Sequence, residues 1–256
     1  MSFKTTKIVL AAAAVLSFSS ATAFANLVSV TWGDNRVHIL DDTFNNLSSF
    51  AVGQTNPNGV GTDGSTIWVG TFIDSTVRAF DFSGNLLYSW GGAGFGNLQG
   101  LDYMNGQIAI ANGNQIQFRN ALTGALNSTI TGPNITGTIE GIDFDGTLLW
   151  AIADSNLYGI NPLTGATVST ISNAAAGVCS FDGTGNASMS PTRMGLACSN
   201  GNWFIVNSSN GAIISSGNNG LQMFGLDHVP GVVPEPGTLA LLGLGLGFLG
   251  LRRARR

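Results

Sequence analysis

Glycines 59, 100, 141, 177 and 225 stand 41, 41, 36 and 48 residues apart, and each opens a run of the same design. The clearest copy begins Gly141-Ile142-Asp143 and turns at Asp145-Gly146. It continues through Leu149-Trp150-Ala151-Ile152, then Leu157-Tyr158-Gly159-Ile160, turns again at Thr164-Gly165 and ends near Val168. Four short apolar alternations separated by turn residues make four strands, and Asp-Gly or Asn-Gly pairs supply the positive φ that tight hairpins need. The plan recurs from Gly59 and from Gly100, and a looser copy starts at Gly177 with Val178, Asp182-Gly183, Leu196-Ala197-Cys198 and Asn210-Gly211. A period near 40 with four strands per unit is the pattern of a β-propeller blade. A β-sandwich would lack the recurrence, and solenoid coils are usually shorter.

The last unit begins at Gly225-Leu226-Asp227 and breaks off at Pro230. What it lacks stands at the other end of the chain: Leu27 to Asp34 matches a second strand, Arg36 to Leu40 a third, and Leu47 to Val52 a fourth. Three N-terminal strands and one C-terminal strand complete a closing blade, which removes exposed sheet edges and ties the ends of the domain together. The expected fold is all-β: a five-bladed β-propeller over residues 26–231, closed in this way, with a C-terminal hydrophobic helix beyond it. The blade pattern resembles NHL-type propeller repeats.

Both flanks read as export signals. Lys4 and Lys7 precede an apolar run from Ile8 to Val15, and Ala21-Thr22-Ala23-Phe24-Ala25 offers small residues at signal-peptidase spacing, so residues 1–25 are expected to be a cleaved signal peptide. Residues 232–256 combine Val233-Pro234-Glu235-Pro236, an apolar stretch from Thr238 to Leu251, and Arg252, Arg253, Arg255 and Arg256. The prolines hold Glu235 in an extended segment. The 14 apolar residues would span only about 21 Å as a helix against roughly 30 Å of hydrocarbon, and terminal arginines favour the cytoplasmic side. Gly243 and Gly247 would let another membrane helix approach closely. The competing reading is a buried C-terminal strand or core helix. Gly245 to Gly250 also spells Gly-x-Gly-x-x-Gly, but no strand precedes it and no βαβ unit follows, so it is not read as a dinucleotide site.

This order resembles the PEP-CTERM signal of exported bacterial proteins. The resemblance implies processing by an exosortase in the inner membrane, transient anchoring there, a final place at the cell surface or outside it, and association with extracellular polysaccharide and biofilm. Signal peptidase and exosortase are the partners expected during export, with the membrane engaged only through the C-terminal segment.

Between the two signals stand four arginines (36, 78, 119 and 193), no lysine and 13 acidic residues, a net charge of −9. Such a surface offers no footprint for phosphate backbones, which excludes nucleic acid as a partner. No cofactor is called for, although a cation has a candidate site. Two residues after the anchoring glycines stand Gly61, Asp102, Asp143, Cys179 and Asp227. Quasi-symmetry brings Asp102, Asp143 and Asp227 to equivalent places on the innermost strands. There they could hold Ca²⁺, serve as the carboxylates of a glycoside hydrolase-like enzyme, or cap backbone amides. A binding or matrix role is the leading expectation and the carbohydrate-active enzyme the alternative.

Asp34, Asp74 and Asp154 repeat at the ends of second strands and read as turn residues. Trp32, Trp68 and Trp150, in the second strands, read as inter-blade core. Cys179 and Cys198, on the first and second strands of one blade, are a candidate disulfide in an oxidising compartment. His38 and His228 share the closing blade but lie on different strands, and are not read as a metal pair. The stretch from Thr184 to Arg193 reads as a long loop, with Arg193 as a candidate anion contact.

Overall fold

The computed structural model describes residues 27–91, 98–154, 156–172 and 184–230. They form twenty strands in chain order: β1 (Leu27–Thr31), β2 (Arg36–Leu40), β3 (Asn46–Ala51), β4 (Pro57–Thr62), β5 (Thr66–Thr71), β6 (Thr76–Asp81) and β7 (Leu86–Gly91), then β8 (Leu98–Met104), β9 (Gln107–Asn112), β10 (Gln115–Asn120), β11 (Leu126–Thr131), β12 (Gly141–Phe144), β13 (Leu149–Ala153), β14 (Asn156–Ile160) and β15 (Thr167–Ile171), and finally β16 (Thr184–Ser190), β17 (Arg193–Cys198), β18 (Asn202–Asn207), β19 (Ile213–Asn218) and β20 (Met223–His228). They pair into five four-stranded antiparallel sheets, β4 to β7, β8 to β11, β12 to β15, β16 to β19, and β20-β1-β2-β3. The closing blade is the expected one. β20 pairs with β1 from Leu27↔His228 to Val30↔Gly225, so the two ends of the domain share one ladder.

Burial follows position in the blade. The first three strands of each blade are mostly buried, while the outer strands β3, β7, β11 and β19 are largely exposed. An exposed outer edge invites pairing with other chains. All five blades carry a register shift between the third and fourth strands, for example at Ile39/Leu40 and Ala79/Phe80. Bulges of this kind twist an edge out of a flat template.

The core is five separate apolar clusters, one at each blade interface, exemplified by Val28, Val37 and Val60 with Ile67 between the closing blade and its neighbour. The recurring glycines have a steric cause at the centre of the ring. A Cβ on Gly59 would sit 2.6 Å from the Leu101 amide of the next blade, and one on Gly185 would sit 2.4 Å from the Leu226 amide. Five inner strands can converge so closely only where the side chain is absent.

One blade differs from its expected register. Its innermost strand is β16, over the residues expected to be a loop, and Gly185 takes the anchoring place expected of Gly177. Arg193 accordingly opens β17 rather than ending a loop. With Gly185 the anchors stand at 59, 100, 141, 185 and 225, a more even series. Cys179, the signal peptide and the whole of residues 232–256, including the expected C-terminal helix, lie outside the described residues.

Candidate functional site

The residue two places after each anchoring glycine lies on an innermost strand: Gly61 on β4, Asp102 on β8, Asp143 on β12, Ala187 on β16 and Asp227 on β20. Three of the five are carboxylates, and the fold brings them together as expected. Asp102, Asp143 and Asp227 are 2, 2 and 5% exposed. One carboxylate oxygen from each lies within 4.8 Å of the others. Among the described residues this is the one group of three or more side chains that could hold a metal ion.

Their partners are backbone amides three places after the anchors. Asp102 accepts from its neighbour Tyr103 at 2.6 Å through Oδ1 and from Phe144 in the next blade at 2.5 Å through Oδ2. Asp227 does the same with His228 at 2.6 Å and with Thr62 in the next blade at 2.6 Å. Asp143 accepts from Ser188 in the next blade at 3.0 Å. Thr62, Tyr103, Phe144, Ser188 and His228 are the five equivalent amides of the ring, and three carboxylates serve all five. The blades with Gly61 and Ala187 supply no acceptor, and the double engagement of Asp102 and Asp227 makes up the deficit. The capping of amides expected of these residues is therefore present, and it runs mainly between blades.

Enclosure sets their acidity. Burial, then the facing charges of Asp227 and Asp143, pushes Asp102 well above the usual carboxylate range. Burial, then Asp143, does the same to Asp227. Burial also raises Asp143, to about 7, against the opposing hydrogen bond from Ser188. Like charges this close cannot all ionise without a counter-charge, so the cluster retains protons near neutrality or takes up a cation. The two carboxyl groups of glycoside hydrolases stand about 5 to 9.5 Å apart around a sugar. Here one oxygen of each carboxylate lies within 4.8 Å of the others, and all three groups are at most 5% exposed, closed off by the inner strands.

The other candidates have plainer surroundings. Asp34 and Asp74 each accept from the hydroxyl that ends the preceding strand, Thr31 and Thr71, which is turn chemistry. Asp34 also meets His38 Nε2 at 3.1 Å. Asp154 takes a positive φ of 44° in the corresponding turn. Trp68 and Trp150 are buried, and their indole N–H groups donate to the Tyr88 hydroxyl and to Asp145. Trp32 lies flat against Phe224, with ring centroids 4.1 Å apart. Cys198 is fully buried on β17.

A feature that the repeat pattern hid lies at the seam between the β16–β19 blade and the closing blade. The third-to-fourth-strand turns place Gly84, Gly124, Gly165 and Gly211 at positive φ, and the fifth turn puts Phe44 there, at φ 64°. Phe44 is fully buried and stacks on Trp203, with centroids 4.7 Å apart and planes 4° from parallel. A phenylalanine where four blades carry glycine was the available sequence signal.

The PEP-CTERM protein-sorting motif matches residues 232–256. A comparison with curated proteins gave no match. Among solved structures, the crystal structure of Myxococcus xanthus glutaminyl cyclase is similar, with a TM-score of 0.57 and 16% identity, covering 68% of this chain and 85% of that one. At that identity the likeness is one of fold. The motif implies export with exosortase processing and a transiently membrane-anchored C-terminal segment. This chain is a five-bladed β-propeller carrying the PEP-CTERM protein-sorting motif at residues 232–256.

Proposed function

We propose that the propeller is a binding or matrix protein of the cell surface or extracellular space, delivered by an N-terminal signal peptide, released or displayed by the exosortase, and associated with extracellular polysaccharide. The sorting motif at 232–256 is the observation that carries this reading. The acid cluster supports a scaffold role for the channel. Its carboxylates are engaged by the five amides of the ring and are at most 5% exposed, which suits holding blades together better than meeting a substrate.

The test is intact mass and C-terminal peptide mapping of protein recovered from its host, beside a strain lacking the exosortase. Loss of the tail near Pro234-Glu235-Pro236 only where the exosortase is present is the expected result. An intact tail in both strains would overturn the sorting step. Co-fractionation with the polysaccharide of the same cultures tests the association.

A further inference from the structure

We propose that the groove at the seam between the β16–β19 blade and the closing blade binds a neutral, hydroxyl-rich glycan, with Trp203 as its stacking face. The inference rests on the extracellular reading above and adds a site and a ligand class to it. The groove encloses about 470 Å³, and its lining of small polar and apolar residues includes Phe44, Trp203, Gly217 and the asparagine pairs 45–46 and 218–219. None of these is charged. A groove of about 520 Å³ occupies the equivalent place between β11 and the turn before β15, lined by aliphatic and small polar residues such as Ile130, Thr131 and Leu163. Two blade interfaces thus form the same hollow, and one of them is furnished with aromatic rings and four asparagines.

That furnishing breaks the repeat at three positions at once. Cross-strand partners at the equivalent place are Val37 with Phe50, Val77 with Trp90, Ile116 with Ile130, and Leu157 with Ile171. At the seam the pair is Trp203 with Gly217. The aromatic residue that two of these blades carry on the outer strand stands here on the third strand, and a Cβ on Gly217 would meet the indole at 2.6 Å. Phe44, in place of the turn glycine, covers one face of that indole. The ring is thereby fixed in one orientation among the residues that line the groove.

Polar groups are available beside it. Among the described residues, the Trp203 indole N–H and the Asn46 amide have no hydrogen-bond partner, and Asn45 uses only its Nδ2 group, which donates to Asp41 and Thr43. Of the other indoles, those of Trp68, Trp90 and Trp150 donate within the fold, while that of Trp32 is buried without a partner among the described residues and away from this groove. Asn219 is committed to the architecture, donating to the Phe44 carbonyl at 3.1 Å and accepting from the Leu221 amide at 3.0 Å. An uncharged groove with unused amide and indole groups suits ligand hydroxyls, and nothing in it would neutralise an acidic sugar.

The experiment is calorimetric or fluorescence titration of the full-length chain, held in detergent, with neutral oligosaccharides of glucose and of N-acetylglucosamine, and with oligogalacturonate as the charged comparison. A neutral probe should bind and the acidic one should not. Trp203→Ala should weaken binding about tenfold, the worth of one aromatic stacking contact, and Trp203→Phe should recover part of it. Asn46→Ala, on an exposed side chain, is the second variant and should weaken binding severalfold with thermal stability unchanged. Binding unaffected by both Trp203→Ala and Asn46→Ala would overturn the site, as would preference for the acidic probe. Absence of neutral-glycan binding in a chain that is still exported and processed would sink this inference and leave the sorting reading standing.

Discussion

The carboxylate of Asp102 joins two blades, accepting from the amide of Phe144 at 2.5 Å across the interface and from its own neighbour Tyr103 at 2.6 Å. Repeated by Asp227 and, through a single bond, by Asp143, this contact ties the inner strands of all five blades to one buried acid cluster. The arrangement satisfies amides that the narrow channel would otherwise leave unpaired, and it does so with groups whose ionised forms repel one another.

A dependence of stability on pH follows, with a sign opposite to that of an ordinary carboxylate. The folded pKa values lie above the usual 3.8, at about 7 for Asp143, so the folded state binds more protons than the unfolded one across that window. The cluster therefore contributes less stability as pH rises from about 4 to about 7, at up to about 1.4 kcal/mol per pH unit for each proton held. Asp41 and Asp81, whose pKa values lie below 3.8, act in the other direction only at more acidic pH. His228, lowered by burial, opposes the trend below its ordinary value of 6.5. Asp143→Asn separates these contributions, because Asp143 accepts one backbone amide and an asparagine oxygen can keep that bond. Its melting temperature at about pH 8 should exceed that of the parent, and the difference should shrink towards about pH 5. A rise in the parent's melting temperature on adding Ca²⁺ at the higher pH, abolished by Asp143→Asn, would instead identify the cluster as a cation site.

The blade count, the closing blade and the three carboxylates were legible because each repeats at nearly constant spacing. The carboxylates' partners were not, since Asp102 and Phe144 are 42 residues apart and Asp227 and Thr62 are 165 apart. Spacing alone shows equivalence between blades but not which blade a side chain reaches. The register error had a local cause: Gly177-Val178-Cys179 resembles Gly141-Ile142-Asp143, while the true strand carries Asn186 and Ala187 where the other four blades place an aliphatic residue and three of them a carboxylate. The seam groove was invisible for a related reason, because Trp203 and Gly217 exchange roles between strands and conserve the packing while breaking the pattern.

Phe44 offers a direct measurement of strain against packing. A non-glycine residue in the left-handed region costs about 1 kcal/mol, and removing a buried phenylalanine costs about 3 to 5 kcal/mol. Both Phe44→Ala and Phe44→Gly should therefore destabilise the fold. Glycine should be the milder of the two by about 1 kcal/mol, because it alone accepts φ 64° without strain. Denaturant unfolding of the two variants checks the order, and alanine proving the more stable would show that the turn relaxes out of this conformation.

The buried Cys198 bears on the oxidising compartment implied by export. Pairing with Cys179 is a proposal, and a loop of that size should add about 3 kcal/mol. Alkylation under denaturing conditions with and without prior reduction reads it by mass. Two labels without reduction would show free thiols, while labels gained only after reduction, with a fall in melting temperature, would show the bond.

The inner-strand glycines give the sharpest steric test. At Gly185 an added Cβ would meet the Leu226 amide nitrogen at 2.4 Å and the Gly225 carbonyl carbon at 2.7 Å, backbone atoms that cannot swing aside. At Gly106 nothing lies within 4 Å of the added atom, and only the positive φ of 82° opposes it. Gly106→Ala should therefore cost about 1 kcal/mol, the left-handed penalty alone. Gly185→Ala should cost about 3 kcal/mol or more, since it must push apart two blades at the point where the ring is tightest. Leu226 stands next to Asp227, so the same displacement should disturb the acid cluster and alter the pH dependence described above, which Gly106→Ala should leave intact. Equal costs for the two substitutions, or an unchanged pH profile in Gly185→Ala, would mean that the inner strands have room to separate and that close approach at the channel is not what selects glycine there.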